Sequence, residues 1–213
     1  MNRRTATTAH ALLGLLALRT EWSAWELTKQ LRRNMRFFWP RAESQIYQEA
    51  KSLVARGWAL DRRSYTGDRP KTTYAITEDG RKELEAWLST PPRATSLECE
   101  PLLRVFLSDY AGPDELRSAL AQARADGHAI LDAGRVVGAK YLSGSAPFQD
   151  QLHVRAFVLD FVSHHARMLI DWADRTEATL DQHPDPHSES RQQAARAIIA
   201  ANLAAYPPPP QNG

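Results

Sequence analysis

Stretches whose apolar residues recur every three or four positions alternate along the chain with shorter stretches of strict alternation. The first pattern predicts helices with one buried face, the second half-buried strands. Ala9, Leu12, Leu13, Leu16 and Ala17 predict an opening helix, with Thr7 or Thr8 as its cap. A second helix follows in "SAWELTKQL", where Ser23 and Glu26 stand at capping-box spacing. It ends in a basic cluster of Lys29, Arg32 and Arg33. "NMRFFW" reads as a loop, and Pro40 holds Trp39 extended.

The third helix, in "RAESQIYQEAKSLVARGW", has two unlike faces. Ile46, Ala50, Leu53, Val54 and Gly57 gather on one side. Arg41, Ser44, Gln48 and Lys51 gather on the other, with Ala55 among them. A solvated face usually carries mixed long charges, whereas this one offers groups that hydrogen-bond to base edges and phosphates. "ALDRRSY" and "KTTYAI" then alternate as two short strands around the turn formers Gly67 and Pro70. The hairpin is basic through Arg62, Arg63, Arg69 and Lys71. Thr77 caps a fourth helix, and Pro91 and Pro92 end a first domain over 1–92.

Three helices, a two-stranded basic hairpin and a further helix is the order of a winged helix-turn-helix. In that architecture the third helix enters the major groove and the hairpin lies along the backbone. Arg41, Ser44, Gln48 and Lys51 are therefore candidate base readers. Arg62, Arg63, Arg69 and Lys71 suit phosphates, which position a protein without specifying sequence.

The second half is helical throughout. "PLLRVFLSDY" predicts a short helix, and Pro113 opens a long one. Leu116, Leu120, Ala123, Gly127, Ile130, Gly134, Val137 and Tyr141 follow at steps of four and three, a heptad seam. The seam fits either an intrachain core or a coiled coil between two copies. Its small residues favour the second, because a lone helix pair would bury little. Gly127 and Gly134 also weaken a helix interior, by about 1 kcal/mol each against alanine, so something must compensate. Another helix runs from Asp150 to Gln182, with Phe157, Phe161, His165 and Trp172 on one broad face. Leu116, Leu120, Ala123, Ile130, Val137, Phe157, Phe161 and Trp172 are the candidate dimer contacts. The expected organisation is mainly α: the winged domain, an all-helical dimerisation domain over 97–182, and an extension over 183–213. That extension holds a short helix at most, before a proline-rich tail.

Composition sets limits on this picture. Hydrophobic residues make up 43% of the 213, enough for a core. No apolar run reaches the roughly 18 residues that span a bilayer. The basic, apolar N-terminus lacks a small-residue cleavage site before Glu21 and reads as part of the fold. Cys99 is the single cysteine, so no intrachain disulfide forms, in keeping with a reducing, cytoplasmic setting. The net charge of +2 divides into +6 over residues 1–90 (16 basic, 10 acidic) and −4 over 91–213 (11 basic, 15 acidic). A basic front and an acidic back point to different partners.

At "LLGLLAL", "SAWELTKQL", "FWPRAESQIYQEAKSLVARGW" and "GDRPKTTYAITEDGRKEL" the chain resembles the PadR family of bacterial transcriptional regulators. "PLLRVFLSDY" and "FVLDFVSHHARMLIDWADR" resemble the long helical C-terminal domain of one PadR subgroup. Gln45-Ile46-Tyr47, taken with Arg69, Pro70 and Tyr74, carries most of this likeness. The resemblance implies a homodimer on a palindromic double-stranded operator, usually a repressor, often released by a small aromatic effector. It adds Gln45 to the DNA-facing set and implies that Tyr47 contacts the DNA backbone. Trp25 stands where the family usually has tyrosine, and Ala50 where leucine is common.

No glycine-rich phosphate loop, metal-ligand spacing or nucleophile elbow is present, so no catalytic residue, metal or cofactor is expected. His164 and His165 are adjacent and diverge on a helix. Phe106, Tyr110, Tyr141, Phe157, Phe161 and Trp172 suit either an effector pocket or plain core packing. The reading from another class is a winged-helix module that docks on protein and no longer reads DNA; the basic hairpin and the polar third-helix face weigh against it.

Overall fold

The computed structural model describes residues 3–66 and 69–206, in two compact units, 1–96 and 97–213. The first unit runs α1 (Arg3–Leu16), β1 (Trp22–Ser23), α2 (Ala24–Met35), α3 (Glu43–Ala55), β2 (Ala59–Thr66), β3 (Arg69–Ile76) and α4 (Glu78–Leu88). Leu12, Leu13, Leu16, Trp22, Leu27, Ile46 and Leu53 form its fully buried core. α1 packs against α3 and α4, and α2 against α3. Burying Ile46, Ala50 and Leu53 turns one face of α3 inward, as the periodicity predicts. Gly57 ends the helix in the left-handed region, φ 74°. Its amide donates to the Val54 carbonyl and that of Trp58 to Leu53, both at 2.9 Å. Two orphan carbonyls are thus satisfied as the chain turns into β2.

Two expectations are corrected here. α1 begins before Thr7, and Thr8 is a buried side chain within it. The Thr8 hydroxyl accepts from Arg41 Nε at 3.1 Å, so it ties two segments together instead of capping a helix. The sheet has three antiparallel strands in the order β1-β3-β2. β1 pairs Trp22 with Tyr74 and Ser23 with Thr73. Two residues are too few to show an alternation, so only pairing reveals the strand.

The second unit runs α5 (Glu100–Phe106), α6 (Pro113–Leu142), α7 (Leu152–Gln182) and α8 (Glu189–Ala205). α6 and α7 form an antiparallel hairpin, with Arg117 on Asp181 at 2.7 Å and Arg124 on Asp174 at 2.6 Å. The heptad seam faces α7 of the same chain. Leu120 and Ala123 are sealed against Ala173 and Leu180, Val105 and Trp172 pack on that cluster, and Ile130 is buried further along. This corrects the expectation that Leu120, Ala123 and Ile130 face a second copy. Leu120, Ala123 and Ile130 have almost no surface left to offer, and Leu116 and Val137 are half-buried. Phe157 and Phe161 do point outward, 74% and 65% exposed.

The small seam residues account for the close approach of the two helices. A Cβ on Gly127 would lie 2.6 Å from Ile170 Cγ1 and 2.8 Å from the Ala166 carbonyl oxygen. On Gly134 it would lie 3.2 Å from Leu159 Cδ1. Dispersion contact with α7 offsets the helix-propensity loss that both glycines carry. The helix expected in the extension is present and longer than expected: α8 has 17 residues and is capped by Ser188, whose side chain accepts from the Arg191 amide at 3.2 Å. The proline-rich tail, 207–213, lies outside the described residues.

Gly127→Ala should destabilise the protein by about 1–3 kcal/mol, because the added methyl meets backbone. Gly14→Ala, whose Cβ meets nothing within 4 Å, should stabilise it by up to about 1 kcal/mol. Urea unfolding of the two variants beside the parent chain checks both signs.

Candidate nucleic-acid interface

The outer side of α3 is built by default. Its inner residues are desolvated against α1 and α2, so Ser44, Gln45, Tyr47, Gln48 and Lys51 are left on the exposed side. Gln48 and Lys51 have no side-chain partner among the described residues. Glu43, at the start of the helix, pairs with Arg32 of α2 at 2.6 Å and ties α2 to α3.

Arg41 does not share this face. It lies before the helix, in the segment ending at Ala42. Its guanidinium lies 4.3 Å from the Trp39 ring centroid and donates to Thr8 and to the Pro40 carbonyl. The helical period does not extend to Arg41: Ala42 is extended and the helix begins at Glu43, so a helical projection does not apply to the two residues before it.

Register separates the basic hairpin residues. Arg62 stands opposite Thr73 and Ser64 opposite Lys71, so Arg62 and Lys71 share one face of the β2–β3 ribbon. Arg63 is on the other face, with Asp61 and buried Tyr74. Burial pushes the Tyr74 hydroxyl up; the nearby Asp61 and Tyr47 push the same way and Arg63 opposes them. Tyr47 of α3 and Arg63 of β2 therefore share one electrostatic neighbourhood. Arg62 is held by Glu21 at 3.0 Å, and Glu21 also accepts from the Thr73 hydroxyl at 3.2 Å. Arg69 begins β3 opposite Thr66, and its side chain lies outside the described residues.

The capping box forms as the spacing predicts. The Ser23 side chain accepts from the Glu26 amide at 3.2 Å, and Glu26 Oε2 accepts from the Ser23 amide at 2.8 Å. Burial pushes the Glu26 carboxyl up, but hydrogen bonds from Arg19 and Ser23 outweigh it and bring it down to about 2.

One polar cluster behind α3 has no counterpart in the sequence reading. Glu49 is buried on the inner face, 3.3 Å from Arg56. Burial pushes its carboxyl up, against the pull of Arg56 and His10. His10 is buried, bonds to Glu83 Oε1 at 2.9 Å through Nε2, and stacks on Trp87. A glutamate on an otherwise apolar stripe was the available signal.

In the second unit the six aromatics do not converge. An open groove along α5 is lined by Leu97, Cys99, Leu102, Leu103 and Phe106. Tyr110 is exposed beyond α5, Tyr141 bonds to the Pro147 carbonyl, and Trp172 packs into the α6–α7 core. Among the described residues no three His, Cys, Asp or Glu side chains are grouped to hold a metal ion. No described helix is long and apolar enough to cross a membrane.

Residues 12–86 match the PadR-like family of transcriptional regulators, and residues 100–181 match the virulence activator alpha C-terminal domain. The negative transcriptional regulator PadR of Bacillus subtilis (strain 168) is 35% identical over 80 residues, 37% of this chain and 43% of that protein. The alignment thus spans less than half of that relative. The crystal structure of Bacillus subtilis PadR in complex with operator DNA superposes with a TM-score of 0.66 at 25% identity, over 82% of this chain and 99% of that one. The same protein in complex with p-coumaric acid superposes at 0.62 and 22% identity, over 83% of this chain and 97% of that one.

The pH dependence of stability tests the capping box. Glu26 has its carboxyl depressed in the fold, so its contribution is complete above about pH 4.5 and fades as the pH falls toward about 2. The melting temperature of Glu26→Gln should fall below that of the parent at pH 6, and the gap should close between pH 4.5 and 2.

Proposed function

We propose that this chain, which carries a PadR-like domain followed by a virulence activator alpha C-terminal domain, is a dimeric, sequence-specific DNA-binding transcriptional regulator. The observation that carries the reading is the outer side of α3, where Ser44, Gln45, Gln48 and Lys51 stand exposed on a helix whose opposite side is buried. Gln48 is suited to adenine, Lys51 to guanine or phosphate, and Ser44 to either base or backbone. Tyr47 and Arg63 flank that side, and Arg62, Lys71 and Arg69 extend basic charge along the hairpin. The Bacillus subtilis PadR complex with operator DNA supports this assignment.

In this reading the chain represses transcription in the cytoplasm, as a homodimer on a palindromic operator, and has no catalytic step. Its relatives are regulators by name. The dimer uses the outward surface of the second unit, where Phe157 and Phe161 are exposed. A small aromatic acid releases it, a proposal supported by the PadR complex with p-coumaric acid. The acid does so by binding one arrangement of the dimer more tightly than the other, since equal affinity for both would shift nothing.

Fluorescence anisotropy on the chain's own upstream intergenic DNA and on random DNA, at two salt concentrations, tests the reading. A preference for the upstream fragment that persists at the higher salt is expected; equal affinity for both overturns sequence reading. Gln48→Ala should lose about 1–3 kcal/mol on the operator and less on random DNA. Arg63→Ala and Arg69→Ala should weaken both complexes alike, each flattening the salt slope by about one unit.

A further inference from the structure

α8 lies beyond the matched family regions, which end at residue 181. Its root is firmly set: Arg191 Nη1 donates to the His183 carbonyl at 2.9 Å and to that of Thr179 at 3.4 Å, satisfying carbonyls at the end of α7. Past this root no residue of α8 is buried. An isolated helix of this length is marginal in water, and most helices in proteins are held by packing of one face. α8 has such a face: Ala195, Ile198, Ile199, Leu203 and Tyr206 recur at helical spacing. Ile199 and Leu203 are 61% and 70% exposed. Its charged residues are Glu189, Arg191 and Arg196, and Arg191 is engaged by α7, so a phosphate backbone has little to bind.

A second apolar stripe in the same unit also lacks a cover. Val154, Phe157, Val158, Phe161 and Met168 run along the outer side of α7, opposite the side that packs on α6. The α8 of the same chain cannot reach its centre. With Arg191 pinned at His183, Leu203 lies about 18 Å along α8 from that pin. Phe161 lies about 31 Å back along α7 from Gln182, and Phe157 about 37 Å. Even with the Arg191 side chain added, the arm stops short.

We infer that α8 is an arm that docks on a second copy of this chain, laying Ile198, Ile199 and Leu203 against the partner copy's outward α7 stripe around Phe157 and Phe161. The two stripes match in length, about 17 Å for Ala195–Tyr206 and about 21 Å for Val154–Met168, and both are uncharged. Two-fold symmetry forms the contact twice, so each arm supplies half of an isologous interface. Large aromatics in a water-excluding contact are the kind of residue that dominates such interfaces.

This inference rests on the dimer reading above, and sedimentation equilibrium separates the two. The parent chain should be a dimer, and the Ile199→Asp/Leu203→Asp chain should dissociate at least tenfold more readily with its circular dichroism otherwise retained. A parent chain that is monomeric at micromolar concentration overturns both readings. A dimer indifferent to the two aspartates overturns the arm alone. A second measurement uses a Cys99→Ser background. A chain carrying Ile199→Cys, mixed with a tagged chain carrying Phe157→Cys, should form a mixed disulfide on mild oxidation. If the linkage forms only within single chains that carry both cysteines, the arm folds back on its own copy and the inference fails.

Discussion

The placement of α3 depends on one desolvation event. Ile46, Ala50 and Leu53 leave water together against α1 and α2, and at about 25 cal/mol per Å² of apolar surface that burial outweighs any hydrogen bond on the outer side. A helix has one rotational setting that buries such a stripe. Once it is taken, Gln48 and Lys51 have no freedom about which way they face. The left-handed Gly57 then turns the chain, and its carbonyl accepts from the Thr77 hydroxyl at 2.7 Å. The end of α3, the entry to β2 and the cap of α4 are thus joined at one point.

An ion pair with its carboxylate buried and its guanidinium half-buried lies within this apolar arrangement. Glu49 shares the inner side of α3 with Ile46 and Leu53, beside Arg56 and near His10. Such pairs add little net stability against an apolar replacement, but losing one partner leaves a charge stranded. Their use here is positional, since α1, α3 and α4 all contribute: His10 from α1 bonds to Glu83 of α4 and adds its field to Glu49 of α3.

In the second unit close approach takes the place of bulk. Gly127 and Gly134 let α6 and α7 come near enough for Leu120, Ala123 and Ala173 to be sealed. Arg117 and Arg124 flank the contact through Asp181, Asp174 and Glu177. Because the hairpin satisfies itself along this seam, the aromatic stripe of α7 is left to the outside.

The sequence by itself determined the order of helices through α7, the capping box at Ser23 and Glu26, and the inward stripe of α3. Each follows from local spacing, and local spacing is what helical dihedrals and burial act upon. The hairpin was legible for the same reason, as was the likeness to PadR regulators, which the comparisons bear out. Only the tertiary structure decided what depends on residues distant in the chain. β1 exists because Trp22 meets Tyr74, some fifty residues on. Arg41 turns to Thr8 and Trp39 because it precedes the helix whose period it seemed to share. Arg62 is held by Glu21 while Arg63 shares a face with Tyr74, because pairing with β3 and β1 sets what each face of the hairpin meets. The heptad seam could serve one chain or two; periodicity describes the stripe but does not name the surface that covers it, and here α7 came first.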